Sequence, residues 1–390
     1  MSPRKFWLRS GLALALAMAG VAWGLSHWYL SSYTREVGDR LELLVELRKG
    51  AVAEYFSTAQ AELQFWSTNP DILAAQAGFN AVWAGAEPAL LSGQIRDSYV
   101  EKNPYQGSLF QLDDAQDGSM YSALHSQIHP LAKLFVSERG YYDVFLIGSD
   151  GDVFYTVEKE SDFGSNLSTG QWRDSGLARA YKRALQSRAG AVYISDMQPY
   201  GPSDNAPAMF IARALRDASG EAMGVIAFQL PTAKILEIMA YMEGMGETGE
   251  TYLVGQDKLM RSNSRFSEQV SVLTQTVDTL AVTRALEGES GVGFITDYRG
   301  MEVMSAYTSL AVGRSVWAVV AEFDRQEIID SAAAERPSLS GALAFIYGLS
   351  LWSLWYWRGR RLDGAAGGDT DIADIELDVG DFGDSSGMGA

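Results

Sequence analysis

Chemistry in this 390-residue chain has little to work with: it holds three histidines and no cysteine. His125 and His129 stand four residues apart, so on a helix they share one face and could ligate a metal. The Glu of a His-Glu-x-x-His metalloprotease motif is absent, since Ser126 follows His125. Ordinary helix-surface histidines are the preferred reading. His27 falls at the edge of an apolar stretch. Gly246-Glu-Thr-Gly249 superficially suggests a phosphate loop but lacks the Gly-Lys-Ser/Thr of a P-loop. It stands where a module must turn into its first strand, and a turn is the simpler reading. Asp150 and Asp152 invite a dyad, yet they flank Gly151 in a hairpin turn, where solvated acids are usual. Without cysteine there are no disulfides, thiolate nucleophiles or Cys-ligated zinc. The chain is read as a non-enzyme, with no catalytic residues, no metal and no cofactor.

The elements that must position any binding group come next. A formal net charge of −18 disfavours nucleic acid, which needs clustered Lys and Arg. A mean hydropathy near zero argues against a polytopic transporter. Two apolar stretches stand apart. Gly11 to Leu30 follows Arg4, Lys5 and Arg9 and ends among Trp23, Trp28 and Tyr29; Leu339 to Trp357 is followed by Arg358, Arg360 and Arg361. Each approaches the roughly 20 residues that cross a bilayer, with aromatics at headgroup depth. Basic residues outside both segments put both termini in the cytoplasm, leaving about Ser31 to Pro337 extracytoplasmic. The competing reading of the first segment is a cleaved signal peptide, with Ala17-Met18-Ala19 as its site. That cut would fall inside the apolar run.

From Thr34 to Thr68 apolar residues recur at helical spacing (Val37, Leu41, Leu44, then Val52, Tyr55, Ala59, Leu63, Trp66), with one slip near Leu47 and Arg48. A long helix leaving the membrane can carry force to a distal domain. Asn69-Pro70-Asp71 reads as a stop and a new capped start. A helix from Tyr121 to Arg139 is expected to break or kink at Pro130. Asp143 to Thr156 reads as a β-hairpin around Gly148-Ser-Asp-Gly151.

An internal repeat of about a hundred residues organises the remainder. Phe145-Leu-Ile-Gly148 recurs as Tyr252-Leu-Val-Gly255, Arg183-Ala-Leu185 as Arg284-Ala-Leu286, and Gly190-Ala-Val-Tyr-Ile-Ser-Asp196 as Gly291-Val-Gly-Phe-Ile-Thr-Asp297. Two further strands follow in each copy: Ala208–Ala212 and Gly224–Leu230, then Val303–Tyr307 and Val316–Phe323. Each copy is expected to run strand, strand, helix, strand, strand, strand.

In these blocks the sequence resembles the double-Cache sensor domains of bacterial chemoreceptors, sensor kinases and cyclases. The resemblance covers roughly Tyr33 to Asp324. It rests on Glu138 to Thr156, Asp162-Phe-Gly-Ser-Asn-Leu167 and Gly246-Glu-Thr-Gly-Glu-Thr-Tyr-Leu-Val254. It implies an α+β fold: a long N-terminal helix carrying two tandem PAS-like Cache modules, antiparallel sheets flanked by helices, between two transmembrane helices. The expected order is a cytoplasmic N-terminus (1–10), first span (11–30), stalk and helical region (31–102), membrane-distal module (103–232) and membrane-proximal module (233–325). A juxtamembrane linker (326–338), second span (339–357) and acidic disordered tail (358–390) complete it.

The resemblance further places a ligand pocket between the distal sheet and the loops joining its second and third strands. That directs attention to Tyr155, Trp172, Arg173, Asp196, Tyr200, Arg213 and Gln229. Aromatic walls with convergent polar groups suit a small polar ligand, and an Arg fork suits a carboxylate. Asp196 recurs as Asp297, which favours a scaffold role; Trp172, Arg173 and Tyr200 have no counterpart in the second copy. Amino-acid-binding relatives carry Arg-x-Trp-Tyr in this loop and an Asp on the module's last strand. Here stand Gly170-Gln171-Trp172-Arg173 and Gln229, so carboxylates, amines and nucleobases all stay open as ligands. The expected protein is a sensor of a small polar metabolite and a homodimer. Having no output domain in this sequence, it acts on a separate signalling protein through its second span and the tail from Ile372 to Phe382. A non-binding adaptor or a truncated receptor is the alternative.

Overall fold

The computed structural model describes residues 3–241, 243–334 and 337–366. The tail from Ile372 to Phe382 lies outside them. The described residues divide into two units: one drawn from Met1–Tyr33 and Asp330–Ala390, the other being Thr34–Ile329.

Helix α1 (Pro3–Ser67) supplies the stalk. Its buried stripe is Val37, Leu41, Val45, Val52, Phe56, Ala59, Leu63 and Trp66. The expected slip at Leu47 does not occur, because Val45 and Val52 lie two turns apart and Phe56, not Tyr55, continues the seam. Arg48, between them, donates to the Tyr241 carbonyl. Asn69 caps α2 (Pro70–Ala84) by accepting from the Asp71 N–H at 2.8 Å. After α3 (Pro88–Arg96) comes α4 (Met120–Arg139), which runs unbroken through Pro130. Packing over its whole length holds it: Phe135 meets Trp66 and Phe228. The same packing overturns the helix-surface reading of His125 and His129, both fully buried. Their face of α4 lies under Tyr99 and Tyr155.

The distal module continues with β1 (Asp143–Gly148), β2 (Val153–Thr156), α5 (Gly176–Leu185), β3 (Val192–Ile194), β4 (Gln198–Tyr200), β5 (Ala206–Arg216) and β6 (Ala222–Leu230). The sheet order is β2-β1-β6-β5-β3, all antiparallel, with β4 on β5. Phe145, Ala227, Ala212 and Phe210 pack under α5. The alternate residues face the helices, as Phe228 does against Trp66.

The proximal module holds α6 (Thr232–Ala240), β7 (Glu250–Val254), α7 (Leu280–Leu286), β8 (Gly291–Thr296), β9 (Glu302–Val312) and β10 (Ser315–Asp324). Its sheet order, β7-β10-β9-β8, repeats the distal β1-β6-β5-β3. The second strand expected here is reduced to isolated bridges at Leu259 and Met260. The ladder stops because the Leu253 N–H donates to the Ser262 hydroxyl, not to a backbone carbonyl. Helices α8 (Arg325–Ala334) and α9 (Pro337–Ala366) complete the described chain.

Candidate functional site

At the α5 face of the distal sheet, one end is polar. Asp143 opens β1 and lies directly opposite Gln229 on β6, which lies opposite Phe210 on β5. All three side chains therefore point the same way. The Asp143 Oδ1 accepts from the N–H groups of Val144 and Val157 at 2.7 and 2.6 Å, while its Oδ2 has no hydrogen-bond partner. Asp162 stands close enough for its charge to act on Asp143. It accepts a 2.5 Å hydrogen bond from the Tyr200 hydroxyl through Oδ2, and its Oδ1 is unpartnered. Gln229 donates to the Ser203 hydroxyl at 3.3 Å, leaving Oε1 without a donor. Trp172 closes the side, its indole lying so close over Gly201 that a Cβ there would come within 2.2 Å of the ring.

Three buried acceptor atoms thus collect with no donor among them. Burial pushes the Asp162 carboxyl up to about 7, partly offset by the Tyr200 hydrogen bond. Asp143 is driven well above the usual carboxylate range by burial and then by the Asp162 charge. The buried ammonium of Lys159 makes no hydrogen bond to them: it donates to the Val157 carbonyl and approaches His129, and burial, partly offset by the Asp143 charge, lowers it to about 7. A site rich in acceptors and short of positive charge suits a group that brings both N–H donors and a cation.

A second constellation joins the modules. Asp196, just past β3, accepts from Arg261 at 3.2 and 3.0 Å and from the Trp317 indole N–H at 2.9 Å. Arg261 is 1% exposed and also pairs with Asp257. Trp317 meets Phe56 of the stalk edge-on. Three residues separate Asp196 from Tyr200, so the polar end of the distal sheet and the stalk are linked by a short stretch of chain and direct contacts.

A double-Cache family model, described as a Cache domain, matches residues 31–332. The chain belongs to the Cache-domain family. Comparison with curated protein sequences gives no match. Among solved structures, this Cache chain is similar to the ligand-binding domain of the Pseudomonas fluorescens chemoreceptor CtaA in complex with L-serine, at 14% identity and a TM-score of 0.44, covering 76% of this chain and 98% of that one. It is also similar to the sensory domain of a Campylobacter jejuni chemoreceptor (CcmL), at 12% identity and a TM-score of 0.46, with 78% and 99% covered. The ligand-binding domain of the Pseudomonas aeruginosa amino acid chemoreceptor PctB in complex with L-arginine matches at 14% identity and a TM-score of 0.43, with 75% and 97% covered.

Within the Cache fold, the residues singled out from sequence separate into groups. Trp172, Tyr200 and Gln229 come together at the polar end. Tyr155 is cross-strand partner to Leu146, on the opposite face, where its hydroxyl meets His129 at 2.7 Å. Arg213 also faces away, alternating with core Ala212. Arg173 is exposed beside Asp174, and Asp196 serves the inter-module contact. Sequence reasoning missed Asp143 and Asp162. The signals were present: Asp143 is the repeat counterpart of Glu250, and Asp162 begins a block that carries the family resemblance.

Proposed function

We propose that this protein is a membrane-anchored extracytoplasmic sensor whose distal module (103–232) binds a small polar molecule through a protonated amine. The observation that carries the proposal is the set of unpartnered buried acceptors on Asp143, Asp162 and Gln229, flanked by Tyr200 and Trp172. Family membership supports a sensory rather than an enzymatic role. An arriving ammonium keeps Asp162 ionised, and the Tyr200 hydroxyl holds that carboxylate in place. Movement of the β3–β4 segment then reaches Asp196, Arg261 and Trp317, and through Phe56 the stalk; the proximal module (233–325) is the relay.

Anchoring is supported by the stretch beginning at Gly11, which lies in the one helix, among the described residues, long and apolar enough to cross a membrane. On α9, Phe345, Trp352, Trp355 and Trp357 are all exposed, as lipid-facing side chains are. Leu43 and Leu47, one turn apart and exposed on the stalk, suit a homodimer contact along α1. Output through a separate signalling protein belongs to the same proposal.

The test is a thermal-shift series on the full chain in nanodiscs with millimolar amines, amino acids, carboxylates and purines. Amine-bearing compounds should raise the melting temperature, and Asp162→Asn should remove the response. A response to carboxylates without an amine overturns the ligand class; no response to any compound leaves the non-binding adaptor.

A further inference from the structure

One end of the proximal module exposes apolar side chains where the length of the chain limits what can cover them. The β8–β9 ladder closes with Thr296 opposite Glu302, so residues 297–301 form its turn. Val303 of β9 lies opposite Asp324 at the end of β10. The Arg299 guanidinium reaches from the turn to Asp324, and the Phe266 ring lies against it at 4.0 Å. Arg325, the first residue of α8, pairs with Glu302 and covers the Phe294 ring at 5.4 Å. Phe266, Phe294 and Met301 are 41%, 43% and 46% exposed. Three large apolar groups, two of them backed by arginine, therefore gather at this end.

The stalk fixes the direction in which this end points. A Cβ on Gly38 would lie 3.4 Å from the Met304 sulfur and 3.6 Å from Val292. Further along, the Lys49 ammonium donates to the Thr308 hydroxyl at 3.2 Å. Residue numbers along α1 and β9 therefore rise together, and the 297–301 turn lies at the low-numbered end of the stalk contact. The apolar stretch that begins at Gly11 ends at Leu30, eight residues before Gly38 in the same helix. At about 1.5 Å per residue that tether is about 12 Å long. Strand β9 covers about 10 Å from Met304 back to Met301, at roughly 3.3 Å per residue. Strand and tether nearly match in length. The second connection leaves by the same end, since α8 follows β10 directly.

Charge does not oppose contact with phospholipid here, although the chain as a whole carries −18. Arg299 holds Asp297 and Asp324, Arg325 holds Glu302, and the N–H groups of Glu247 and Thr248 hold Glu327. Glu247 and Glu268 stay exposed, which favours apolar contact over recognition of anionic lipid. An arginine stacked on a phenylalanine keeps its guanidinium at phosphate depth while the ring reaches toward the acyl chains.

We propose that this end of the proximal module lies on the bilayer that anchors the chain, with Phe266, Phe294 and Met301 set among the phospholipid headgroups. The inference depends on the anchoring reading above. The short tether keeps lipid at high local concentration, so a contact that is weak by itself suffices.

The full chain has no cysteine, so a single environment-sensitive fluorophore is placed through Met301→Cys. The labelled chain is studied in phosphatidylcholine nanodiscs with and without acyl chains brominated near the headgroup. Leu16→Cys, in the apolar stretch, and Ala218→Cys, at an exposed turn of the distal module, bracket the response. Brominated lipid should quench the Met301→Cys probe roughly twofold, since interfacial apolar groups enter by about 5–10 Å. The Ala218→Cys probe should not respond. Phe266→Asp should abolish most of the quenching, and the Met301→Cys probe in the parent chain decides the matter should that variant fail to fold. A quenched Leu16→Cys probe with an unquenched Met301→Cys probe overturns the docking and leaves the anchoring standing. An unquenched Leu16→Cys probe removes both. Blue-shifted but unquenched emission from the Met301→Cys probe would mean that a second copy of the chain covers this surface, and also overturns the proposal. Quenching found only when phosphatidylglycerol is added overturns the apolar mode of contact.

Discussion

The distal and proximal modules share a strand order, a helix over the same face and an acidic residue at the head of the first strand, yet they differ in how their polar ends are satisfied. In the distal module the cross-strand pair is Asp143 and Gln229, with a further acid, Asp162, brought in by a loop. In the proximal module the pair is Glu250 and Glu322, with the hydroxyls of Tyr252 and Ser305 beside it. The repeat-equivalent aspartates diverge even more. Asp297 serves its own turn, accepting from the N–H groups of Arg299 and Met301 at 2.8 Å. Asp196 reaches out of its module to Arg261 and Trp317. A duplicated position is thus a local cap in one copy and a bridge in the other. The difference follows from what lies next to each: Asp297 has the Arg299 guanidinium two residues away, whereas Asp196 accepts locally only from the Met197 N–H and finds its cation in the neighbouring module.

That contrast can be broken experimentally. Asp196→Ala should have the largest effect, about 2–4 kcal/mol, because it leaves the guanidinium of Arg261 buried with only Asp257 as its acid partner. Chemical denaturation followed by hydrogen exchange should show the two modules opening separately. A single cooperative transition would remove Asp196 from the bridge. Asp297→Ala, which loses backbone and side-chain bonds inside one turn, should cost about 1–3 kcal/mol and affect the proximal module alone.

The pH dependence sharpens the comparison of the two acid sites. Glu322 has a folded pKa of about 8, above its ordinary 4.5. Its protonated form therefore favours folding at acidic pH, and that contribution is lost as pH rises through about 8. Glu322→Gln, a mimic of the protonated acid, should match the parent near pH 5. It should exceed the parent near pH 9 by an amount on the order of several kcal/mol in denaturant titrations without amine. Equal stabilities at both pH values would place Glu322 outside this scheme.

Smaller effects follow in the distal module. Tyr200→Phe removes the hydroxyl that donates to Asp162 and should destabilise by about 1 kcal/mol. It should also weaken amine binding, read by the shift in melting temperature at fixed ligand. Arg173→Ala should change stability by less than about 0.5 kcal/mol, and ligand response not at all, since the side chain is exposed and meets only Asp174 and the Gly170 carbonyl. A lost response in that variant would return Arg173 to the site.

Local pattern determined much of this protein. Helical periodicity marked the stalk, Asn69-Pro70 its end, and the Gly148 to Gly151 turn the first hairpin. Recurrence of Gly190–Asp196 as Gly291–Asp297 marked the duplication. Such features depend on neighbours in the chain, so a single sequence carries them. Tertiary structure alone decided the rest. Alternation along β2 and β5 and the pairing of Tyr155 with Leu146 send Tyr155 and Arg213 to the face opposite α5, and Phe145 and Ala212 to the face under α5, so residues grouped by loop and motif parted. His125 and His129 became core residues because Tyr99 and Tyr155, distant in sequence, fold over them. Register placed Asp143 against Gln229 and Glu250 against Glu322, pairings between residues 86 and 72 positions apart that no local signal could report. The unmet acceptors of Asp143 and Gln229 are a property of burial, and burial exists only once the chain has folded around them.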